Sequence, residues 1–104
     1  MPDYVDLTKT VLHGPPSDHY VLRVVGDSMK SESINDGDYV IVLRRNKPES
    51  GELVVARVGD DVTLKRFYLE GDHVRLQSSD CSAKLYPAKD VEVQGVVVGL
   101  MRKF

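Results

Sequence analysis

The stretch "GELVVARVGDDVTLKRFY" (Gly51–Tyr68) decides the fold. Its two runs, "ELVVARV" (52–58) and "DVTLKRFY" (61–68), are rich in valine and other residues that suit a pleated, half-buried backbone. Between them stands a Gly-Asp-Asp cluster (59–61), the chemistry of a tight hairpin turn. The pattern continues in both directions. "EGD" (70–72) leads into "HVRLQ" (73–77), "YVLRVV" (20–25) and "DYVIVL" (38–43) come earlier, and "DVEVQGVVVGLMRKF" (90–104) closes the chain. "VRLQ" alternates, so one of its faces is wet, whereas "YVIVL" and "LVVA" are apolar throughout, which predicts burial on both faces.

Helix has little room: a turn or so starting at Ser28, through "SMKSESI". Strands at this spacing predict a mostly-β fold, a small sandwich or partly closed barrel of short, largely antiparallel strands with little helix. Residues 1–19 differ. Pro2, Gly14, Pro15 and Pro16 punctuate them, which predicts an N-terminal arm laid over a domain of residues 20–104.

At 104 residues the chain suits one hydrophobic core, and 41% apolar with 29% charged residues is an ordinary globular balance. A net charge of −2 argues against binding through nucleic-acid phosphates. The nearest basic cluster, Arg44, Arg45 and Lys47, reads as a solvated turn. No run approaches the ~20 apolar residues of a membrane span, and the polar start "MPDYVDLTKTVLHGPP" is no signal peptide. A lone cysteine, Cys81, excludes an internal disulfide and fits a reducing cytoplasm. It sits in the polar loop "QSSDCSAK" with no histidine beside it, so it reads as an ordinary free thiol. His13, His19 and His73 lack metal-ligand spacing, and no metal or other cofactor is expected.

One further stretch raises a chemical question. In "VVGDSMKSESINDGDYVIV" (24–42) a serine follows Gly-Asp at the end of an apolar run. Serine is a weak nucleophile until a base takes its proton. No histidine here has a supporting context. The remaining base is a lysine whose amine is desolvated enough to lose its charge near neutrality. Lys65, in mid-strand on the face of Thr63 and Phe67, suits that role. Taken singly, each signal has a plainer meaning: a turn or cap serine, and a lysine on a wet strand face.

Taken together, "GDSM", then "DGDYVIV", then "GELVVARVGDDVTLKRF" resemble the C-terminal autopeptidase domain of LexA-type repressors and their UmuD-like relatives. Lys65 follows Ser28 by 37 residues, the serine–lysine interval of that group, and the closing strand is similar too. The resemblance covers residues 20–104. It implies a cytoplasmic Ser–Lys endopeptidase that cuts itself and dimerises within an SOS-response repressor. Ser28 would be the nucleophile, Lys65 the general base, and the Asp27 and Ser28 N–H groups the oxyanion donors. Gly26 would allow close approach, Met29 would pack, and Asp36, Gly37 and Asp38 would form a supporting turn. A RecA-type filament is the partner the resemblance implies. A homodimer is expected through "VEVQGVVVGLMRKF", taken as a long apolar sheet edge.

Two departures from the family pattern matter. The chain lacks the Ala-Gly or Cys-Gly dipeptide at which such proteins cut themselves, and only 27 residues precede Ser28. It therefore resembles the fragment left after cleavage, or a shortened form, without a DNA-binding domain. The alternative is a UmuD-like processed factor that serves as a non-enzymatic dimerisation or polymerase-binding module. A signal-peptidase-like enzyme shares the "GDSM" corner but implies Ser-Met-x-Pro and a membrane anchor, whereas Lys30 and Ser31 follow Met29 here. The charge balance and the lack of a recognition-helix pattern predict that residues 1–104 do not bind duplex DNA specifically. In a gel-shift titration no saturable, operator-dependent complex should form.

Overall fold

A computed structural model describes residues 15–103, apart from the Pro16 side chain. Among these residues, seven strands form one sheet: β1 (His19–Arg23), β2 (Tyr39–Leu43), β3 (Leu53–Val58), β4 (Asp61–Glu70), β5 (His73–Gln77), β6 (Ala83–Pro87) and β7 (Val91–Met101). Three short 3-10 turns, Pro16–Asp18, Lys30–Glu32 and Ala88–Asp90, accompany them. The strand order is β1-β2-β7-β3-β4-β5-β6 and every pairing is antiparallel. The mostly-β, antiparallel expectation holds, in the form of an open sheet that does not close into a barrel. The expected arm falls outside the described residues up to position 14.

Both hairpins form where the Gly-Asp pairs stand. Val58 faces Asp61 across Gly59-Asp60, and Glu70 faces His73 across Gly71-Asp72. Gly59 (φ 61°) and Gly71 (φ 63°) supply the positive φ that two-residue hairpin loops demand. The continuous apolar runs are buried on both faces, as their composition predicts. Alternation along β3 sends Val54 and Ala56 to one side, with Phe67, Val74, Leu76, Val93 and Val96. It sends Leu53 and Val55 to the other, with Met29, Ile34, Val40 and Val42. A fully buried valine contributes about 1.5–3 kcal/mol. An exposed ion pair such as Arg57–Glu92 contributes at most about 1 kcal/mol, so the two clusters carry the stability.

Two expectations need correction. The C-terminal strand is no edge: β7 lies in the sheet interior, hydrogen-bonded to β2 on one side and β3 on the other. Its valines are half-buried or buried within the domain, and the sheet edges are β1 and β6. The argument for a dimer from an unpaired edge therefore fails, because apolar content reports burial and not strand order. Second, β6 is a strand that was not among those expected, and its first two residues, Ala83 and Lys84, fall in the expected polar loop. Four of its five residues are exposed, and it carries Lys84 and Pro87 as natural edge strands do.

Register shifts show how β7 fits two partners at once. Val97 faces Val42 while Gly99 faces Ile41, which leaves Val98 as an extra residue against β2. Gly95 faces Val55 while Val93 faces Ala56, which leaves Gln94 extra against β3. Such bulges increase local twist. Beside the second bulge, a Cβ on Gly95 would lie 2.4 Å from Val42 Cγ1 and 2.6 Å from the Leu43 carbonyl oxygen. The carbonyl belongs to a paired strand and cannot swing away. Gly95→Ala should therefore destabilise the domain by about 1–3 kcal/mol, as overpacking does. Urea denaturation should give a lower midpoint with an unchanged slope.

Candidate active site

Ser28 sits on the loop between β1 and β2, separated from the Lys30–Glu32 turn by Met29 alone. The loop is shaped by its own polar groups. Gly26 (φ 94°) turns the chain, and its N–H donates to Asp36 Oδ1 at 2.8 Å. Gly37 (φ 88°) donates to the Val24 carbonyl at 2.8 Å, and the Val24 N–H donates to the Asp38 carbonyl at 2.7 Å. Met29, 1% exposed, plugs the corner into the core beside Ile34, Val40 and Val55. Ser28 itself is exposed. The Asp27 and Ser28 N–H groups donate to no protein acceptor among the described residues.

Lys65 lies in the middle of β4, opposite Val54, on the sheet face that carries Phe67. Ser28 lines a small groove with Val24, Val40, Val55, Val62 and Thr63. Lys65 lines a larger groove of about 550 Å³, with Thr63, Leu76, Ser78, Lys84 and Tyr86 among its walls. The two grooves adjoin at Val62 and Thr63. No side-chain hydrogen bond joins Ser28 to Lys65 among the described residues.

What the two residues share is the loop of residues 78–82. Ser79 donates to the Ser28 carbonyl from its N–H at 2.9 Å and from its hydroxyl at 3.0 Å. The same hydroxyl accepts the Ser31 N–H at 3.1 Å, so one serine clasps both ends of the Ser28 corner. Its neighbour Asp80 faces the lysine electrostatically. Half-burial lowers the Lys65 pKa below that of an ordinary lysine, the Asp80 carboxylate pulls it back up, and the Lys84 ammonium lowers it again. Asp80 is held as a carboxylate by the Ser82 hydroxyl (2.6 Å) and N–H (3.0 Å). A polar loop with no recognisable motif thus orders one residue and tunes the other.

Two arginines complete the frame around the corner. Arg66 Nε donates to Glu32 Oε1 at 3.0 Å and its Nη1 to the Gly51 carbonyl at 3.0 Å, tying the 3-10 turn to β4. Arg102 Nε and Nη2 donate to the two oxygens of Asp38 at 2.8 and 2.7 Å. Asp38 was expected in the supporting turn, but nothing local in the sequence points to its partner 64 residues away.

With this geometry in view, comparison with known proteins is decisive about class. The chain belongs to the peptidase S24-like family, whose profile it matches over residues 1–98. It is 45% identical over 86 residues to the LexA repressor of Caldicellulosiruptor saccharolyticus, covering 83% of this chain and 43% of that protein. It is 51% identical over 88 residues to the LexA repressor of Koribacter versatilis, covering 82% and 42%. The LexA repressor of Thermotoga petrophila is 41% identical over 103 residues, covering 97% and 52%. The chain thus spans about half the length, or less, of these curated relatives. No helix among the described residues is long and apolar enough to cross a membrane.

The Asp38–Arg102 pair makes a stability prediction with a definite sign. Hydrogen bonds from Arg102, then from the Asn35 N–H, lower the Asp38 pKa to about 2. An unfolded aspartate titrates near ~3.9, so the contribution of the pair is complete above about pH 4 and is lost as pH falls through about 2. Asp38→Asn should make the domain less stable at neutral pH. It should also flatten the fall in urea midpoint between about pH 4 and pH 2.

Proposed function

We propose that this chain is the Ser–Lys endopeptidase domain of a LexA-like SOS-response repressor, acting in the cytoplasm in self-cleavage and dimerisation. The observation that carries the reading is the convergence of Ser28 and Lys65 on one loop, through Ser79 and Asp80 respectively. The family and the similarity to LexA repressors support peptidase chemistry in general.

In the proposed mechanism Lys65 Nζ, in its neutral form, takes the proton of Ser28 Oγ while the oxygen attacks a peptide carbonyl. The Asp27 and Ser28 N–H groups receive the developing oxyanion; one such donor is worth about 3 kcal/mol of barrier. Lys65 then returns the proton to the leaving amine, and water, activated by the same lysine, releases the acyl group. Catalytic pairs often stand apart before substrate arrives and close up in the complex, which is compatible with the absence of a direct Ser28–Lys65 bond among the described residues. A segment bearing an Ala-Gly bond would lie across the adjoining grooves. The dimer is proposed to form around the C-terminal end of β7, where Leu100 and Met101 are exposed beside Tyr39. A RecA-type filament is the proposed activating partner.

The test is cleavage in trans of a separate polypeptide carrying an Ala-Gly segment, followed across pH. Because burial lowers the Lys65 pKa, the rate should rise from neutral pH and level off below ~10.4, the value for an exposed lysine. Ser28→Ala and Lys65→Ala should abolish turnover. Lys65→Arg should match them, because a guanidinium stays protonated. Asp80→Asn should move the rising limb to lower pH, since it removes the charge that stabilises the ammonium. Cleavage that persists in both alanine variants would eliminate the proposed pair.

A further inference from the structure

We infer that Arg102 is a positioning residue for Ser28, holding the nucleophile corner from the end of β7. The inference rests on reading Ser28 as the nucleophile, and it assigns part of that site to a residue remote in sequence.

Arg102 follows Met101, the last residue of β7, so its backbone is anchored by a strand paired on both sides within the sheet. Its guanidinium makes three hydrogen bonds: Nε to Asp38 Oδ1 (2.8 Å), Nη2 to Asp38 Oδ2 (2.7 Å) and Nη2 to the Ser33 carbonyl (2.8 Å). Asp38 is buried at 3% exposure and also accepts the Asn35 N–H at 2.8 Å. Ser33 is the significant contact. Its φ of 62° is a left-handed conformation that a non-glycine residue keeps only when its surroundings impose it. From Ser33 the chain of bonds leads straight to the nucleophile. The Ser33 N–H donates to the Lys30 carbonyl (2.9 Å), those of Ile34 and Glu32 to the Met29 carbonyl (3.3 and 3.1 Å), and that of Lys30 to the Asp27 carbonyl (3.1 Å).

The other fastenings act from elsewhere. Ser79 grips the corner from the 78–82 loop, and Arg66 grips Glu32 from β4. Among the described residues, Arg102 is the side chain that connects the corner to the end of β7. Without it, Ser33 loses the contact at its carbonyl, and the Met29–Ile34 turn is free to relax its strained residue. A small misplacement of Ser28 Oγ then follows, and displacements near 1 Å are enough to cost about a hundredfold in rate.

Two readouts on the full chain test this. The first is amide hydrogen exchange at Lys30, Glu32, Ser33 and Ile34. The second is the rate at which a fluorophosphonate probe labels Ser28, followed against pH, with Ser28→Ala as blank. Arg102→Met removes all three hydrogen bonds and keeps most of the apolar stem. Val74→Ala, a truncation in the cluster on the other face of the sheet, serves as a control for general loss of stability. Arg102→Met should speed exchange at the four amides and slow labelling about ten- to a hundredfold, with the pH midpoint of labelling unchanged. Arg102→Lys should recover part of both, since an ammonium reaches Asp38 but cannot match the fork. Val74→Ala should do neither beyond its effect on the whole domain. Unchanged exchange in Arg102→Met, or equal effects from Val74→Ala, would overturn the inference. A parent chain that the probe does not label, or labels equally after Ser28→Ala, counts against Ser28 as nucleophile. The exchange result still decides whether Arg102 holds the corner.

Discussion

The structure depends on one strand satisfying two partners. β7 gives one row of its backbone groups to β2 and the other to β3, and so joins what would otherwise be two separate sheets. The serine corner belongs to the β1–β2 side, and Lys65 belongs to the β3–β4 side. Their relative position is therefore set by how closely β7 draws β2 and β3 together. Gly95 shows how tight this is, because its missing Cβ is occupied by Val42 and the Leu43 carbonyl. The two extra residues in β7, Gln94 and Val98, let it keep register with both neighbours, one bulge facing each.

The chemistry at Lys65 is a balance of opposed effects. Full burial of an ammonium is costly enough to strip its charge, and full exposure leaves it protonated at neutral pH. Half-burial on the Phe67 face puts the amine between these limits, and Asp80 and Lys84 then push in opposite directions. A tenfold change in the proton affinity of the amine corresponds to ~1.4 kcal/mol between its two protonation states. A single neighbouring charge is thus enough to move the balance in a groove that water still reaches. Placing Asp80 next to Ser79 makes one short loop responsible both for that balance and for the seat of Ser28.

Much of this was legible in the sequence, for physical reasons that also explain what was not. Valine-rich runs broken by Gly-Asp pairs announce strands and hairpins because both signals are local: side-chain shape and positive φ. β6 was hidden because an edge strand avoids the apolar pattern by which strands are recognised, and its first residues, Ala83 and Lys84, belong to the polar run "QSSDCSAK". The interior place of β7 was hidden because pairing order is not a local property. Ser28 and Lys65 are candidates because residue type allows the chemistry and the resemblance to LexA-type repressors supplies the 37-residue interval. Ser79 and Arg102 were not, since a hydroxyl and a guanidinium become meaningful only beside carbonyls and carboxylates 51 and 64 residues away.

The two ionisations that matter most are kept far apart in pH. Asp38 is held down to about 2 and Arg102 is raised by the same contact, so both keep their charges through the neutral range. Lys65 is depressed from the lysine value by burial, yet its amine is only half-buried and the Asp80 carboxylate opposes the shift, which keeps its ionisation on the alkaline side of that of Asp38. The pair that fastens the serine corner therefore does not change state where the proposed base gains its lone pair. A fastening built on histidine would have titrated near neutrality and loosened the corner over the range in which the lysine is being tuned. Carboxylate and guanidinium, whose charges persist through that range, separate the geometry of the site from its proton chemistry.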